Sequence, residues 1–128
     1  MIILDTSVWI EFFKRNNPYF EHVEMLLNKN SVLTFELVFA ELLQGAKNER
    51  ERKILEGYWN NLPKVSVEEI IFRAGMEAGR RKYFSKGIGL IDSAIIQLAK
   101  ETASTVWSLD KKLDTVLEKD QIYMFPPV

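Results

Sequence analysis

Apolar residues occur along this chain in short blocks, and the spacing of the apolar positions changes from block to block. Residues 1–4 are all apolar, which is typical of a strand buried on both faces, and from Thr6 onward the spacing becomes helical. The same change from a short apolar run to a helical pattern recurs along the chain. Strands separated by helices pair in parallel through right-handed crossovers. We therefore expect a three-layer α/β fold with a central, mainly parallel sheet of about five strands flanked by helices.

The individual elements follow from this pattern. Strands are expected at residues 1–5, 31–34, 64–67, 104–109 and 122–125. Helices are expected at about residues 8–15, 19–28, 35–44, 48–62, 68–86, 90–101 and 110–119. Thr34 is a candidate N-cap for the third of these helices, and Gly45 is its expected end. In open parallel sheets, ligands bind beyond the carboxyl ends of the strands, so the residues that follow each strand are the candidates for chemistry.

Composition places the chain among soluble globular proteins. Its 128 residues are the size of one domain, with 47% hydrophobic and 27% charged residues and a formal net charge of −1. This balance leaves nucleic-acid binding open if the basic surface is local. The lack of cysteine excludes disulfides and thiolate metal sites. The most apolar window, residues 32–43, contains Glu36 and Glu41 and is too short to cross a bilayer, and no signal peptide is evident, so we expect a cytoplasmic protein without a membrane partner.

Four acidic residues occupy positions that differ from those of the other acids. Asp5 and Asp110 each follow a predicted strand, at its junction with a helix. Asp92 lies near the start of a strongly apolar helix, and Glu41 projects from an apolar helical face. Taken singly, each has an ordinary explanation, which is helix capping for the three aspartates and a salt bridge for the glutamate.

Taken together, these four carboxylates indicate a metal site. Two strand ends and two helices direct them toward one rim of the sheet, where like charges repel strongly. A hard divalent cation with oxygen ligands, Mg²⁺ or Mn²⁺, resolves that conflict. Such a site suits hydrolysis of phosphodiester bonds, with Glu41 or Asp110 available to receive a proton from water. We interpret Asp114 as solvated, and His22 as a surface or partly packed residue rather than a ligand.

With these acids placed, the chain resembles the PIN-domain ribonucleases, and most closely the VapC toxins of bacterial and archaeal toxin–antitoxin pairs. The resemblance covers essentially the whole chain. It is carried by four segments: ILDTSVWIEFF at the start, FAELLQG around Glu41, GIGLIDSAIIQLA around Asp92 and TVWSLDKKLD around Asp110. In the last segment Ser108 stands where the family usually has Thr, and Leu113 where it often has Phe.

The resemblance implies a single PIN domain over residues 1–128, Mg²⁺- or Mn²⁺-dependent endoribonuclease activity, a homodimer, and inhibition by a cognate antitoxin. It implies that Asp5 and Asp92 are the principal metal ligands and that Glu41 and Asp110 complete the acidic cluster. Three hydroxyl residues would support the site, namely Thr6 and Ser7, either of which would hold the first carboxylate or a metal-bound water, and Ser108.

The segment GRRKYFSKG, just upstream of Asp92, is the candidate RNA-binding surface. Its cations are Arg80, Arg81, Lys82 and Lys86. Cations that meet phosphates beside rings that stack on bases suit single-stranded RNA. The alternative is a solvated helix end with Tyr83 and Phe84 in the core, and periodicity alone cannot place those rings.

Two other functions remain open at this point. One is a catalytically silent PIN module that only binds RNA or a partner protein, although the presence of all four acids argues against it. The other is a housekeeping PIN nuclease, although the short chain favours the toxin.

Overall fold

The computed structural model describes residues 1–126 and shows a parallel sheet at the centre of the molecule. The strands are β1 (Ile2–Leu4), β2 (Val32–Phe35), β3 (Lys64–Val65) and β4 (Thr105–Trp107). Their order in the sheet is β3-β2-β1-β4. Ile2 of β1 lies beside Val32 on one side and beside Thr105 on the other, so β1 is a central strand. The carboxyl ends of β1 and β4 are therefore neighbours on one edge of the sheet.

The expectation of about five strands is wrong, because the sheet formed by the described residues has four. The expected last strand, at residues 122–125, is reduced to a single parallel bridge between Ile122 and Val106. Tyr123 donates its N–H to the carbonyl of Val106 at 2.9 Å, but the following residues form no ladder. Pro126 has no N–H to donate, which limits any extension of the pairing.

Within residues 1–126, seven α-helices surround this sheet, and with it they confirm the α/β architecture. They are α1 (Thr6–Phe13), α2 (Tyr19–Asn28), α3 (Glu36–Gln44), α4 (Glu49–Asn61), α5 (Ile70–Arg80), α6 (Leu90–Thr102) and α7 (Lys111–Asp114). Two 3₁₀ turns cover Tyr83–Lys86 and Lys119–Gln121. In one group α1 contacts α2 and α3, and in the other α5 packs along α6, which contacts β4. None of the helices in the described part of the chain combines the length and apolar character that a bilayer crossing requires.

The core is formed by the central strand and by the helices that follow the strands. Ile3 and Leu4 of β1 are almost completely buried, as are Val8 and Trp9 of α1. Every residue from 93 to 99 in α6 is buried, which explains why this helix reads as strongly apolar in the sequence. Burial on this scale fixes the position of α1 and α6 relative to the strand ends. Asp5 lies at the start of α1, and Asp92 lies in α6.

Two local expectations fail because tertiary contacts override local preferences. Thr34 does not cap α3, since it belongs to β2 and its hydroxyl donates to the carbonyl of Pro63 at 2.6 Å. The single helix expected over residues 68–86 ends at Arg80, and Lys82 adopts a left-handed conformation with φ of 56°. This break turns the chain so that Tyr83, which is 5% exposed, enters the core.

Candidate active site

The carboxylate of Asp5 is buried where β1 meets α1, and it accepts three hydrogen bonds. Its side chain is only 6% exposed. Oδ1 accepts the N–H of Thr6 at 2.8 Å, which makes Asp5 the N-cap of α1. Oδ2 accepts the hydroxyls of Ser7 at 2.9 Å and of Ser108 at 2.7 Å. A buried carboxylate costs several kcal/mol unless it is hydrogen-bonded or paired, so these three donors stabilise a charge that this position otherwise disfavours.

The two serine hydroxyls are themselves oriented by the loop after β4. The N–H of Leu109 donates to Oγ of Ser7 at 3.0 Å, and the N–H of Asp110 donates to Oγ of Ser108 at 2.9 Å. Because a backbone donor occupies each hydroxyl oxygen, the hydroxyl proton points to Asp5. The N–H of Asp5 also donates to the carbonyl of Trp107 at 2.9 Å. These bonds join the ends of β1 and β4 into one rigid unit.

Glu41 is connected to the same unit through Thr6. Glu41 lies on α3 and is half-buried. The hydroxyl of Thr6 donates to Oε1 of Glu41, while the N–H of the same residue donates to Asp5. One residue of α1 therefore holds two of the predicted site carboxylates, and no cation is needed to position Glu41.

Asp92 is the residue in which the proximity of the four acids is most evident. It lies in the first turn of α6 and is half-buried. The pKa of Asp92 is raised to about 6, first by burial and then by the negative charges of Asp5, Asp110 and Glu41. No hydrogen bond from a donor within residues 1–126 offsets these effects. The structure therefore brings the four predicted acids into one electrostatic neighbourhood.

Asp110 is the most exposed of the four. It follows β4 and caps α7, since its Oδ1 accepts the N–H of Lys112 at 3.0 Å. The capping role is thus real, and Asp5 likewise caps a helix. Capping does not remove either carboxylate from the cluster, because both charges act on Asp92.

A fifth acid, Asp114, also lies near this cluster and was interpreted as solvated from the sequence. It is half-buried, and burial raises its pKa. Lys111 opposes that shift, whereas Asp110 and Asp5 add to it. A signal was present in the sequence, because Asp114 is four residues after Asp110 and so lies on the same helical face.

The acids lie close enough to repel one another, but they do not form a closed cage. Within residues 1–126, no three acidic or histidine side chains converge tightly enough to hold an ion with protein ligands alone. All the available donors are oxygens, as Mg²⁺ and Mn²⁺ prefer. Mg²⁺ usually keeps several waters and takes only one or two carboxylates from the protein, so an open, acidic, all-oxygen site fits such an ion.

The candidate RNA-binding segment is more constrained than the sequence suggested. Arg80 and Arg81 both pair with Glu77, at 3.2 and 3.0 Å. The two rings in this segment have opposite environments, since Tyr83 is buried and Phe84 is 93% exposed. The alternative in which both rings lie in the core therefore holds for Tyr83 only. The role of the four cations in binding RNA stays a prediction.

His22 is partly packed, as expected, and lies outside this cluster. Its Nε2 and Oη of Tyr123 are 2.6 Å apart, and its ring meets Trp107 edge-on with centroids 5.3 Å apart. Burial lowers the pKa of His22, and the charge of Lys29 lowers it further. Its surroundings are aromatic rather than acidic, so nothing here favours a role as a ligand.

Comparison with protein families and curated proteins points to one group. The family described as PIN domain matches residues 2–119. A curated protein named ribonuclease VapC32, from Mycobacterium tuberculosis, is 28% identical over 116 residues, covering 88% of this chain and 87% of the relative. A second, VapC ribonuclease Mb1587 from Mycobacterium bovis, is 28% identical over 122 residues, covering 91% of each protein.

Two solved structures of similar fold are described as VapBC proteins. VapBC2 from Rickettsia felis, bound to a DNA fragment from its promoter, superposes with a TM-score of 0.72 at 24% identity, covering 95% of this chain and 96% of the other. VapBC-1 from nontypeable Haemophilus influenzae superposes with a TM-score of 0.68 at 25% identity, covering 92% and 96%. The fold of this chain is thus one that those proteins share.

The hydrogen bonds around Asp5 make a stability prediction. Ser108→Ala removes one donor to Asp5 and leaves the N–H of Asp110 without its acceptor, so we expect the free energy of unfolding to fall by about 1–3 kcal/mol. Ser108→Thr keeps the hydroxyl and should retain more stability than the alanine variant. Urea denaturation followed by circular dichroism measures both. Ser66→Ala, at an exposed serine, is the control and should stay within about 0.5 kcal/mol. An alanine variant at position 108 as stable as the unaltered protein would contradict the network.

The raised pKa of Asp92 predicts how the stability of the metal-free protein depends on pH. Its pKa is about 6 in the folded protein against an ordinary 3.8, so the protonated form favours folding. Its stabilising contribution is fully present below about pH 4 and is lost as the pH rises through about 6. Asp92→Asn should therefore be more stable than the unaltered protein at neutral pH in EDTA, and this difference should shrink as the pH falls.

Thermal unfolding in EDTA across this pH range measures the effect. Asp120→Asn, at an exposed aspartate, is the matched control and should follow the unaltered protein. If the melting temperatures of Asp92→Asn and the unaltered protein changed in parallel with pH, this would contradict a raised pKa at Asp92.

Proposed function

This chain belongs to the PIN domain family, and from that premise we propose that it is a metal-dependent endoribonuclease, the toxin of a VapBC-type toxin–antitoxin pair. The curated relatives named VapC ribonucleases support the activity. The observation that carries the proposal is that Asp5, Glu41 and Asp110 lie near enough to Asp92, a half-buried carboxylate, to help burial raise its pKa to about 6. Carboxylates with pKa values raised by burial and by like charges cluster at functional sites.

The acidic cluster would hold Mg²⁺ or Mn²⁺. When bound, such an ion lowers the pKa of water and neutralises charge that develops on a phosphodiester group. Each carboxylate has a different capacity to act as a ligand. Asp92 has all of its acceptor positions free, because no donor within residues 1–126 forms a hydrogen bond with its carboxylate. Asp5 has roughly one of about four lone-pair positions left, on Oδ1, since three donors occupy the others. Asp92 is therefore the more accessible ligand and Asp5 the more rigid one.

Glu41 and Asp110 would complete the site in different ways. The hydroxyl of Thr6 holds Oε1 of Glu41 and so orients the whole carboxylate. The other oxygen, Oε2, is then available to take a proton from water. Oδ1 of Asp110 is engaged in capping α7, and Oδ2 remains available at an exposed edge of the site. In this proposal Thr6, Ser7 and Ser108 act through the carboxylates they hold. They are positioning residues.

The partners follow from the same proposal. The substrate is RNA, the inhibitor is a cognate antitoxin, and the active form is a homodimer acting in the cytoplasm. The solved relatives described as VapBC complexes support an antitoxin partner. An antitoxin that covers the acidic site would prevent RNA from reaching Asp92.

The proposal predicts RNA cleavage that depends on both metal and carboxylates. The purified protein, freed of any co-purifying inhibitor, should cut a mixed RNA pool with Mg²⁺ or Mn²⁺ and not with EDTA. Asp5→Asn and Asp92→Asn should each lower the rate by more than ~100-fold, because even the hydrogen-bond partners of metal ligands contribute about 10- to 100-fold. Product analysis on denaturing gels measures the rate.

Asp120→Asn is the control for this assay, since it makes the same chemical change at an exposed acid. Circular dichroism confirms that each variant is folded. Cleavage that persists in EDTA, or that Asp92→Asn leaves intact, would contradict the metal site. Absence of cleavage under every condition would favour a PIN module that binds RNA or a partner protein without cutting.

A further inference from the structure

Phe84 is a fully exposed ring on a rigid support. Its side chain is 93% exposed, the most exposed of the large hydrophobic residues in the described part of the chain. The turn that carries it is anchored on both sides by buried residues, Tyr83 and Ile88. The N–H of Gly87 donates to the carbonyl of Phe84 at 3.1 Å, and the N–H of Ile88 donates to that of Tyr83 at 3.0 Å. These backbone hydrogen bonds therefore fix the position from which the exposed ring of Phe84 projects.

This turn lies at the rim of the acidic site. It leads directly into α6, whose first turn carries Asp92. On its other side the turn contacts α7, because the side chain of Lys112 lies against Gly87. Cδ of Lys112 is 3.5 Å from the position that a β-carbon on this glycine would occupy. The helix α7 is the one that Asp110 caps. The turn that carries Phe84 thus precedes the helix of Asp92 and, through Gly87, contacts the helix that Asp110 caps.

The charges around Phe84 are positive and available. Lys82, Lys86 and Lys112 are exposed, and none of them forms an ion pair with a carboxylate in residues 1–126. The ammonium of Lys86 lies 6.0 Å from the centre of the Tyr83 ring, which positions it without neutralising it. The two arginines of the same segment differ, because both form ion pairs with Glu77.

We propose that Phe84 is a stacking platform for an unpaired RNA base beside the cleaved phosphate, and that Lys86 and Lys112 contact the phosphates on either side of that base. This inference rests on the proposed function. An aromatic ring accepts the face of any base, and nearby cations attract the backbone, which is how proteins hold single-stranded RNA without reading its sequence. Phe84 therefore positions the strand and does not select which base is cut.

RNA suits this surface better than a protein partner does. The cores of protein interfaces are contiguous and apolar, and lysine is depleted there. Phe84 is surrounded by lysines. Phe72 on α5 offers a contrast within the same molecule, since it is 68% exposed and lies one helical turn from Met76, which is 46% exposed. Phe72 is therefore the matched control for Phe84, since it is an exposed phenylalanine that is not accompanied by Lys82, Lys86 and Lys112.

The test measures binding separately from cleavage. Fluorescence anisotropy in EDTA compares a short mixed-sequence single-stranded RNA with an abasic ribose-phosphate strand of equal length. Phe84→Ala should weaken binding of the RNA by about 5- to 150-fold, because each stacked base contributes that much, and should leave the abasic strand unaffected. Phe84→Trp should restore binding, whereas Phe84→Leu, which is apolar but has no ring, should not. Phe72→Ala should bind like the unaltered protein.

Three results would overturn the inference alone, with cleavage by the unaltered protein still intact. The first is unchanged RNA binding by Phe84→Ala, and the second is an equal weakening of binding to the RNA and to the abasic strand. The third is a change in the oligomeric state of Phe84→Ala on size-exclusion chromatography, which would assign the ring to a protein contact. If the unaltered protein neither binds nor cleaves RNA, the proposed function fails and this inference fails with it.

Discussion

The hydrogen-bonded burial of the Asp5 carboxylate is the constraint on which the rest of this site depends. A charge at 6% exposure persists only because Ser7, Ser108 and the N–H of Thr6 donate to it. Those donors come from the start of α1 and from the loop after β4, so the charge joins the ends of two neighbouring strands. The same short stretch of α1 holds Glu41 through the hydroxyl of Thr6. One buried charge thus determines where the neighbouring groups lie.

A second consequence is electrostatic. Burial and the neighbouring charges of Asp5, Asp110 and Glu41 together raise the pKa of Asp92 to about 6. We therefore expect the metal-free fold to be less stable at neutral pH, and a bound divalent cation would reverse this penalty. Proteins accept such local destabilisation at sites where it serves function. In the proposed function, the exposed lysines Lys82, Lys86 and Lys112 would attract the phosphates of RNA while the acidic cluster would hold a cation.

The sequence predicted the parts of this arrangement that depend on topology. Asp5 and Asp110 could be placed because each follows a strand, and parallel strands bring their carboxyl ends to one edge. Tertiary packing decided the rest. Thr34 bonds Pro63 rather than α3, Lys82 breaks the long helix so that Tyr83 can be buried, and residues 122–125 form one bridge instead of a fifth strand. Local preferences do not contain these contacts.

Titration of the metal-free protein with Mn²⁺ at about pH 6, followed calorimetrically, tests the central claim most directly, which is that the four acids together form a cation site. At this pH Asp92 is close to its pKa and holds part of a proton. The account predicts that Mn²⁺ binds the unaltered protein with release of that proton, and that Asp92→Asn binds the ion much more weakly and releases no proton. Binding of equal affinity to both proteins, or no binding to the unaltered protein, would contradict the account.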